Sequence, residues 1–267
     1  MRVKFLIIIL PTVTTLLVVG IVNYQFYNYS VTNPFYNGCY SVWAHSGYHK
    51  VDPYNSIENF SEAFDRGAKG VEIDIIFDNN LQDFIVSHDY PYSLVKGKLL
   101  TLENVFSAVG DRGYLWVDFK QLDTVSDVDL VVDKMERLLK KFNLMDKVII
   151  ESRKGILLRK FSQKSIHTSY WIAFSPNGEL FPFRFKLRIK DFLSRSLIGI
   201  SNFSAISMSH KYYKSKKKIY SHLPIHLYTV NDKDELSKLI DDNAVKVILS
   251  DKSYYSFKNA ACLPEKE

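Results

Sequence analysis

Gly70-Val71-Glu72-Ile73-Asp74-Ile75-Ile76, then Phe77-Asp78-Asn79-Asn80-Leu81-Gln82-Asp83, then Phe84-Ile85-Val86-Ser87-His88 is the stretch from which the fold can be worked out. Two apolar, largely β-branched runs read as strands. A parallel crossover needs a dozen or more residues, and the gap between these runs is shorter than that. The second run is therefore expected to fold back on the first as a hairpin, with Asp78-Asn79-Asn80 as its turn. Outward from this pair, further strand candidates are Val42 to His45, Tyr114 to Phe119, Lys147 to Glu151, His167 to Ala173, Ala205 to Ser209, Ile225 to Val230 and Val245 to Leu249. Helical patterns fall between most of them, as at Ser56 to Arg66, Val125 to Phe142 and Lys233 to Asp241. Strands alternating with helices predict a parallel sheet, and about eight repeats predict a closed (β/α)8 barrel of the TIM type, with the hairpin strand as a short insertion.

The chain has 267 residues, 46% of them hydrophobic and 24% charged. That is enough for a short anchor and one domain with a large core, and it excludes low-complexity disorder for most of the chain. The net charge of +6 favours anionic surfaces or phosphate-bearing ligands. No nucleic-acid-binding motif accompanies it, so no nucleic-acid partner is expected. Arg2 and Lys4 precede an uncharged run from Phe5 to Val22, about 27 Å long as a helix, and Tyr24, Phe26, Tyr27 and Tyr29 follow. Residues 1–23 read as a single transmembrane anchor or a signal peptide, 24–39 as a linker and 40–267 as the barrel domain. Positive charge before the apolar run places the domain on the non-cytoplasmic side, periplasmic, extracellular or lumenal. Cys39 and Cys262, the two cysteines, bracket that domain, and closure of a barrel would bring its flanks together; export would permit a disulfide.

Polar residues gather at the C-terminal ends of the strands, where such barrels build active sites. The first strand ends in Ala44-His45-Ser46-Gly47. Glu72 and Asp74 are two apart on a strand and face one way, as do Asp118 and Lys120. Glu72, Asp74 and Asp118 are hard oxygen ligands that would repel one another without a cation such as Mg²⁺ or Ca²⁺. His45 and His88 titrate near neutrality and suit general acid–base work; Lys120 can neutralise a phosphate oxygen. Together these residues suggest metal-assisted phosphodiester cleavage.

Ala44-His45-Ser46-Gly47, Ile57-Glu58-Asn59 with Ala63-Phe64, Gly70-Val71-Glu72-Ile73-Asp74, Val86-Ser87-His88-Asp89 and Asp118-Phe119-Lys120 resemble, in this order, the motifs of the glycerophosphodiester phosphodiesterase family. Tyr228-Thr229-Val230-Asn231-Asp232 and Leu249-Ser250-Asp251 are similar to its C-terminal segments. The resemblance runs from about Val42 to Asp251 and is weakest from about Phe161 to Lys218. It implies a TIM-like barrel, His45 and His88 as the catalytic pair, and Glu72, Asp74 and Asp118 on one divalent cation. It also implies Lys120 against the phosphate, Glu58 as a supporting carboxylate, and Tyr228 lining the pocket. The substrate would be a glycerophosphodiester, a phospholipid or a glycerol-phosphate polymer. Three departures stand out: Ser46 replaces the family's phosphate-contacting arginine, Asp118 replaces a glutamate, and Tyr48 to Tyr54 is idiosyncratic. Asp118 with a lysine two residues on also resembles the spider-toxin sphingomyelinase D enzymes, which implies as an alternative a lyase giving a cyclic phosphate. Ser46 leaves a third reading, a catalytically inactive barrel that binds phosphorylated glycans or lipids.

Phe181 to Lys190 alternates aromatic and basic residues and reads as an edge strand or a helix with a solvated basic face, or as a lip on anionic lipid. Lys211 to Lys218 reads as a solvated loop. His49, His210, His222 and His226 read as structural or surface residues. The Asn59 sequon falls inside a predicted helix and reads as chance.

Overall fold

The computed structural model describes residues 2–31, 34–36, 38–39, 41–50, 54–92, 94–95, 97–173 and 181–258, without side chains for 2–12 and 181–187. Nine strands are present among them: β1 (Val42–Ala44), β2 (Gly70–Asp78), β3 (Asp83–Val86), β4 (Tyr114–Phe119), β5 (Val148–Ser152), β6 (His167–Trp171), β7 (Ala205–Ser209), β8 (Ile225–Tyr228) and β9 (Val245–Ser250). Eight are parallel and close into a barrel, β9 pairing with β1 and β1 with β2 through Ala44 and Val71. β3 runs antiparallel to the end of β2, Ile75 opposite Val86, as the short connection requires. The turn is held by Asp78, whose Oδ1 accepts from the amides of Asn80 and Leu81 at 2.8 Å.

The helices are α1 (Arg2–Tyr27), α2 (Ile57–Asp65), α3 (Leu102–Val109), α4 (Val128–Lys141), α5 (Gly155–Gln163), α6 (Phe181–Gly199), α7 (His210–Tyr220) and α8 (Lys233–Ile240). Side-chain caps start several of them: Ser56 for α2, Thr101 with Asn104 for α3, Asp127 for α4 and Asp232 for α8, each accepting from a first-turn amide. The segment Lys211 to Lys218 is helical, within α7, and not the loop its composition predicts. Tyr213 and Tyr220, two turns apart, are its buried anchors, and four intervening lysines mask that stripe in the sequence.

Two compact units result. Residues 1–30 and 175–202 form one, in which α1 packs with α6; residues 31–174 and 203–267 form the other, the barrel. In the first, Arg195 donates to Asn23 and pairs with Asp191, and the Phe181 to Lys190 segment lies within α6, a helix and not an edge strand. Among the described residues no helix is long and apolar enough to cross a membrane. The side chains of residues 1–12, half of the expected span, lie outside them. Val13, Leu16, Leu17, Val18, Ile21 and Tyr24 of α1 are exposed.

The N-terminal end of the barrel is packed shut by aromatic rings. Phe35 and Tyr36, in the segment read as a linker, are buried there against Trp43 and Tyr114, with ring centroids 4.9–6.0 Å apart. Phe35 also meets His167, the first residue of β6, and His226 in β8. Trp116, Ile149, Ala205, Val247 and Leu249 complete this floor. Edge-to-face ring pairs add to what the burial of apolar area contributes. Cys39, next along the chain, is disulfide-bonded; the chain's other cysteine, Cys262, lies outside the described residues.

Candidate active site

The opposite, C-terminal end is charged. Register alone brings the acids together: Asp74 in β2 lies beside Asp118 in β4, and Asp118 beside Glu151 in β5. Glu72, Asp74, Asp118 and Glu151 are all at most 5% exposed, and one ligand atom from each of the first three lies within 4.8 Å of the others. Lys120, two residues beyond Asp118, turns back into the cluster, its Nζ 2.7 Å from Asp74 Oδ1 and 2.6 Å from Asp118 Oδ2.

The loop from β1 to α2 holds these acids in place. Ser46 donates to Glu72 from its amide (2.8 Å) and from its hydroxyl (3.1 Å), and the hydroxyl also reaches Asp74. Asn55 donates to Asp74 Oδ2 at 2.7 Å and accepts from the Asp74 amide. Ser46 (φ 49°) and Asn55 (φ 53°) both adopt left-handed backbone to do so. Gly47 (φ 88°) passes so close to the Asn59 side chain that no Cβ would fit. Asn59 is fully buried and donates to the Tyr48 carbonyl at 2.6 Å, fastening the loop to α2. Its sequon is thus a structural asparagine.

Burial pushes the Glu72 carboxyl well up, and Asp74 adds to this. Burial and Asp118 do the same to Glu151. Burial raises Asp118 too, against the pull of Lys120. Burial opposes ionisation of Asp74 as well, but Lys120, Glu72 and Asn55 outweigh it and hold this carboxyl down. Lys120 is held protonated by Asp118 and Asp74 despite its own burial. One ammonium thus bridges Asp74 and Asp118, two of the four acids. Asp118 Oδ1 and Glu151 Oε2 are buried without a hydrogen-bond partner among the described residues. Orphaned hard oxygens and crowded acids fit a divalent cation of the Mg²⁺ or Ca²⁺ kind, which would relieve both.

His45, at the end of β1, donates from Nδ1 to Asp251 Oδ1 at 2.7 Å, leaving Nε2 for other work. Asn231 fixes the other Asp251 oxygen at 2.5 Å. Burial pushes Asp251 up, but the bonds from His45 and Asn231 hold it at about 2, so it faces the imidazole as a carboxylate. His49, expected to be structural, stacks on His45 at 5.7 Å and approaches the same carboxylate, 3.1 Å from Oδ1. His88 follows β3 at the exposed rim, its Nδ1 3.0 Å from Asp89. The neighbouring Ser87 amide is bonded to the Asp74 carbonyl, which ties this strand end to the acids. Tyr228 ends β8 against Trp171, with rings edge to face at 5.3 Å. Glu58 is exposed in the first turn of α2.

The geometry thus unites Glu72, Asp74, Asp118, Lys120 and Ser46, with Ser46 turned onto the acids and not toward a ligand. Glu151, Asn55 and Asp251 are the residues that motif reading left out of the site. A glutamate closing an otherwise apolar strand, Val148-Ile149-Ile150-Glu151, was the available signal for the first. Closure of the barrel, which sets the residue after β9 beside the residue after β1, was the signal for Asp251.

No family profile matches the sequence, and no curated protein does. Among solved structures the fold is similar to a glycerophosphodiester phosphodiesterase from Parabacteroides distasonis, with 21% identity over 80% of this chain and 94% of that one, TM-score 0.57. A second such enzyme, from Thermotoga maritima, gives 20% identity over 81% and 96%, TM-score 0.59. A phosphodiesterase from Oleispira antarctica, solved in complex with the product sn-glycerol-3-phosphate, gives 15% over 80% and 93%, TM-score 0.56. At these identities the likeness is one of fold.

Proposed function

We propose that this chain is a cation-dependent phosphodiesterase acting on a glycerophosphodiester or a related diester of a lipid headgroup or envelope polymer. The observation that carries the proposal is the buried cluster of Glu72, Asp74, Asp118 and Glu151 at the mouth of this barrel, beside a histidine already paired with a carboxylate. The solved neighbours that share the fold bear the same activity in their names.

Glu72, Asp74 and Asp118 would hold the cation, with Glu151 beside them. A bound Mg²⁺ or Ca²⁺ supplies Lewis-acid stabilisation of phosphoryl charge. Ser46 and Asn55 fix the orientation of Glu72 and Asp74. Asp251 fixes the proton of His45 on Nδ1, so Nε2 accepts a proton from the attacking hydroxyl or water, and Asp251 stabilises the imidazolium that forms. His88, exposed at the rim, returns a proton to the leaving alkoxide.

The protein works outside the cytoplasm, held to a membrane by α1. The disulfide at Cys39 fits an oxidising compartment, and the exposed Leu16, Leu17 and Ile21 fit contact with lipid.

The test is turnover of glycerophosphocholine and lysophosphatidylcholine with Mg²⁺, Ca²⁺ or chelator, resolving linear from cyclic products. Cation-dependent release of a linear monoester is expected. A cyclic product would move the protein to the lyase reading, and absence of turnover with the cation bound would leave a binding module.

A further inference from the structure

The acidic hollow consumes its own cation. Lys120 gives two short hydrogen bonds to Asp74 and Asp118, and its charge is matched by the two carboxylates that it bridges. Ser46 is likewise turned onto Glu72 and Asp74. A diester anion reaching this mouth needs positive charge that the acids have not taken up, beyond whatever a metal ion provides.

Arg153 meets that need. It stands one residue past the end of β5 and two past Glu151, and its side chain is exposed. Its guanidinium lies over the Trp171 ring, Cζ 3.5 Å from the centroid. Among the described residues no carboxylate comes within ion-pair distance of it, although its charge is felt at both Asp118 and Tyr228. Trp171 in turn meets Tyr228 edge to face. Guanidinium, indole and phenol therefore form one wall beside Asp118. Lys120 Nζ lies 5.9 Å from the centroid of the same indole, so Trp171 neighbours both Arg153 and the lysine of the acidic cluster. A stacked guanidinium keeps its N–H edge free and loses little freedom on binding, which suits a planar two-oxygen grip.

We propose that Arg153, held flat by Trp171, is the phosphate-gripping residue of this site, donating to the non-bridging oxygens of the diester while the acidic cluster faces it from the floor of the mouth. Trp171 is the positioning residue. The inference rests on the phosphodiesterase reading for its substrate, but its anion-binding content can be measured without turnover.

The experiment uses the full chain with Mg²⁺ and has two readouts: calorimetric titration with inorganic phosphate, and kcat and KM on glycerophosphocholine. Arg153→Met is expected to weaken phosphate binding about tenfold or more and to lower kcat/KM about 10- to 100-fold, chiefly through KM, the loss of one charge-assisted anion contact. Trp171→Ala should reproduce much of this, Trp171→Phe should restore most of it, and Arg153→Met should not be worsened by adding Trp171→Ala. Phosphate affinity and KM within twofold of wild type in Arg153→Met overturn the proposal. A loss in Arg153→Met with none in Trp171→Ala overturns the role of the indole. If the wild type turns over no diester, the phosphodiesterase reading fails, and the phosphate titration alone decides for or against Arg153.

Discussion

The two ends of the barrel are built from the same strands by opposite means. At the floor, Phe35, Tyr36, Trp43, Tyr114 and Trp116 exclude water, and stability comes from apolar area and ring packing. At the mouth, four buried acids oppose one another and are held by one lysine, a serine and an asparagine. Two histidines mark the contrast. His226 lies 1% exposed against Trp116, its Nδ1 without a partner among the described residues, and burial pushes it down to about 3. His45 is partly exposed and bonded to an ionised carboxylate. One imidazole is packing material, and the other is arranged to carry a proton. The difference teaches that the floor supplies the stability which the strained, charged mouth consumes.

That division can be broken or sharpened by substitution. His45→Ala at the mouth should lower turnover about 10²- to 10⁴-fold while leaving the urea midpoint nearly unchanged, read by steady-state kinetics and denaturation on the same sample. At the floor, Phe35→Ala should cost about 3–5 kcal/mol of stability and leave kcat of the folded protein as it was; a kcat loss as large as that of His45→Ala would show that the ends are not separable. His226 makes a pH prediction. An unfolded histidine titrates near 6.5, so below that value the unfolded chain takes up a proton that the folded one refuses. The contribution of His226 is whole above about pH 6.5 and is lost as pH falls toward 3. Urea unfolding should show stability dropping by about 2 kcal/mol more between pH 7 and pH 5 in wild type than in His226→Leu; equal slopes would place the acid sensitivity elsewhere. The smallest effect is expected for Asp251→Asn, which removes the charge behind His45 and leaves one of the two donors, His45 or Asn231, facing an amide NH2. A loss of about tenfold in kcat is expected, read by steady-state kinetics.

How much was legible in the sequence follows the same division. Strand positions were readable because apolar runs such as Leu115-Trp116-Val117 need burial on both faces, and Tyr114–Phe119 and Ala205–Ser209 came out with the expected bounds. Glu72, Asp74 and Asp118 were readable because alternation along a strand sets their direction. Glu151 and Asp251 were not, since their place in the site depends on which strands become neighbours, and that is fixed only when the barrel closes. Phe35 and Tyr36 sit in a polar, irregular stretch with no periodicity to mark them as floor. The helix α7 was hidden by its lysines, and α6 by aromatic and basic residues in near alternation, a strand-like pattern on a helical segment.

The aromatic floor has a consequence for traffic. With the interior of the strands filled by side chains from the floor upward, no ligand passes through the barrel, and any chemistry is confined to the rim. A phosphate monoester formed there would sit where the diester sat, so it is expected to inhibit competitively. A polymeric substrate would lie across the rim, and the loops that follow the strands would decide which of its bonds comes within reach.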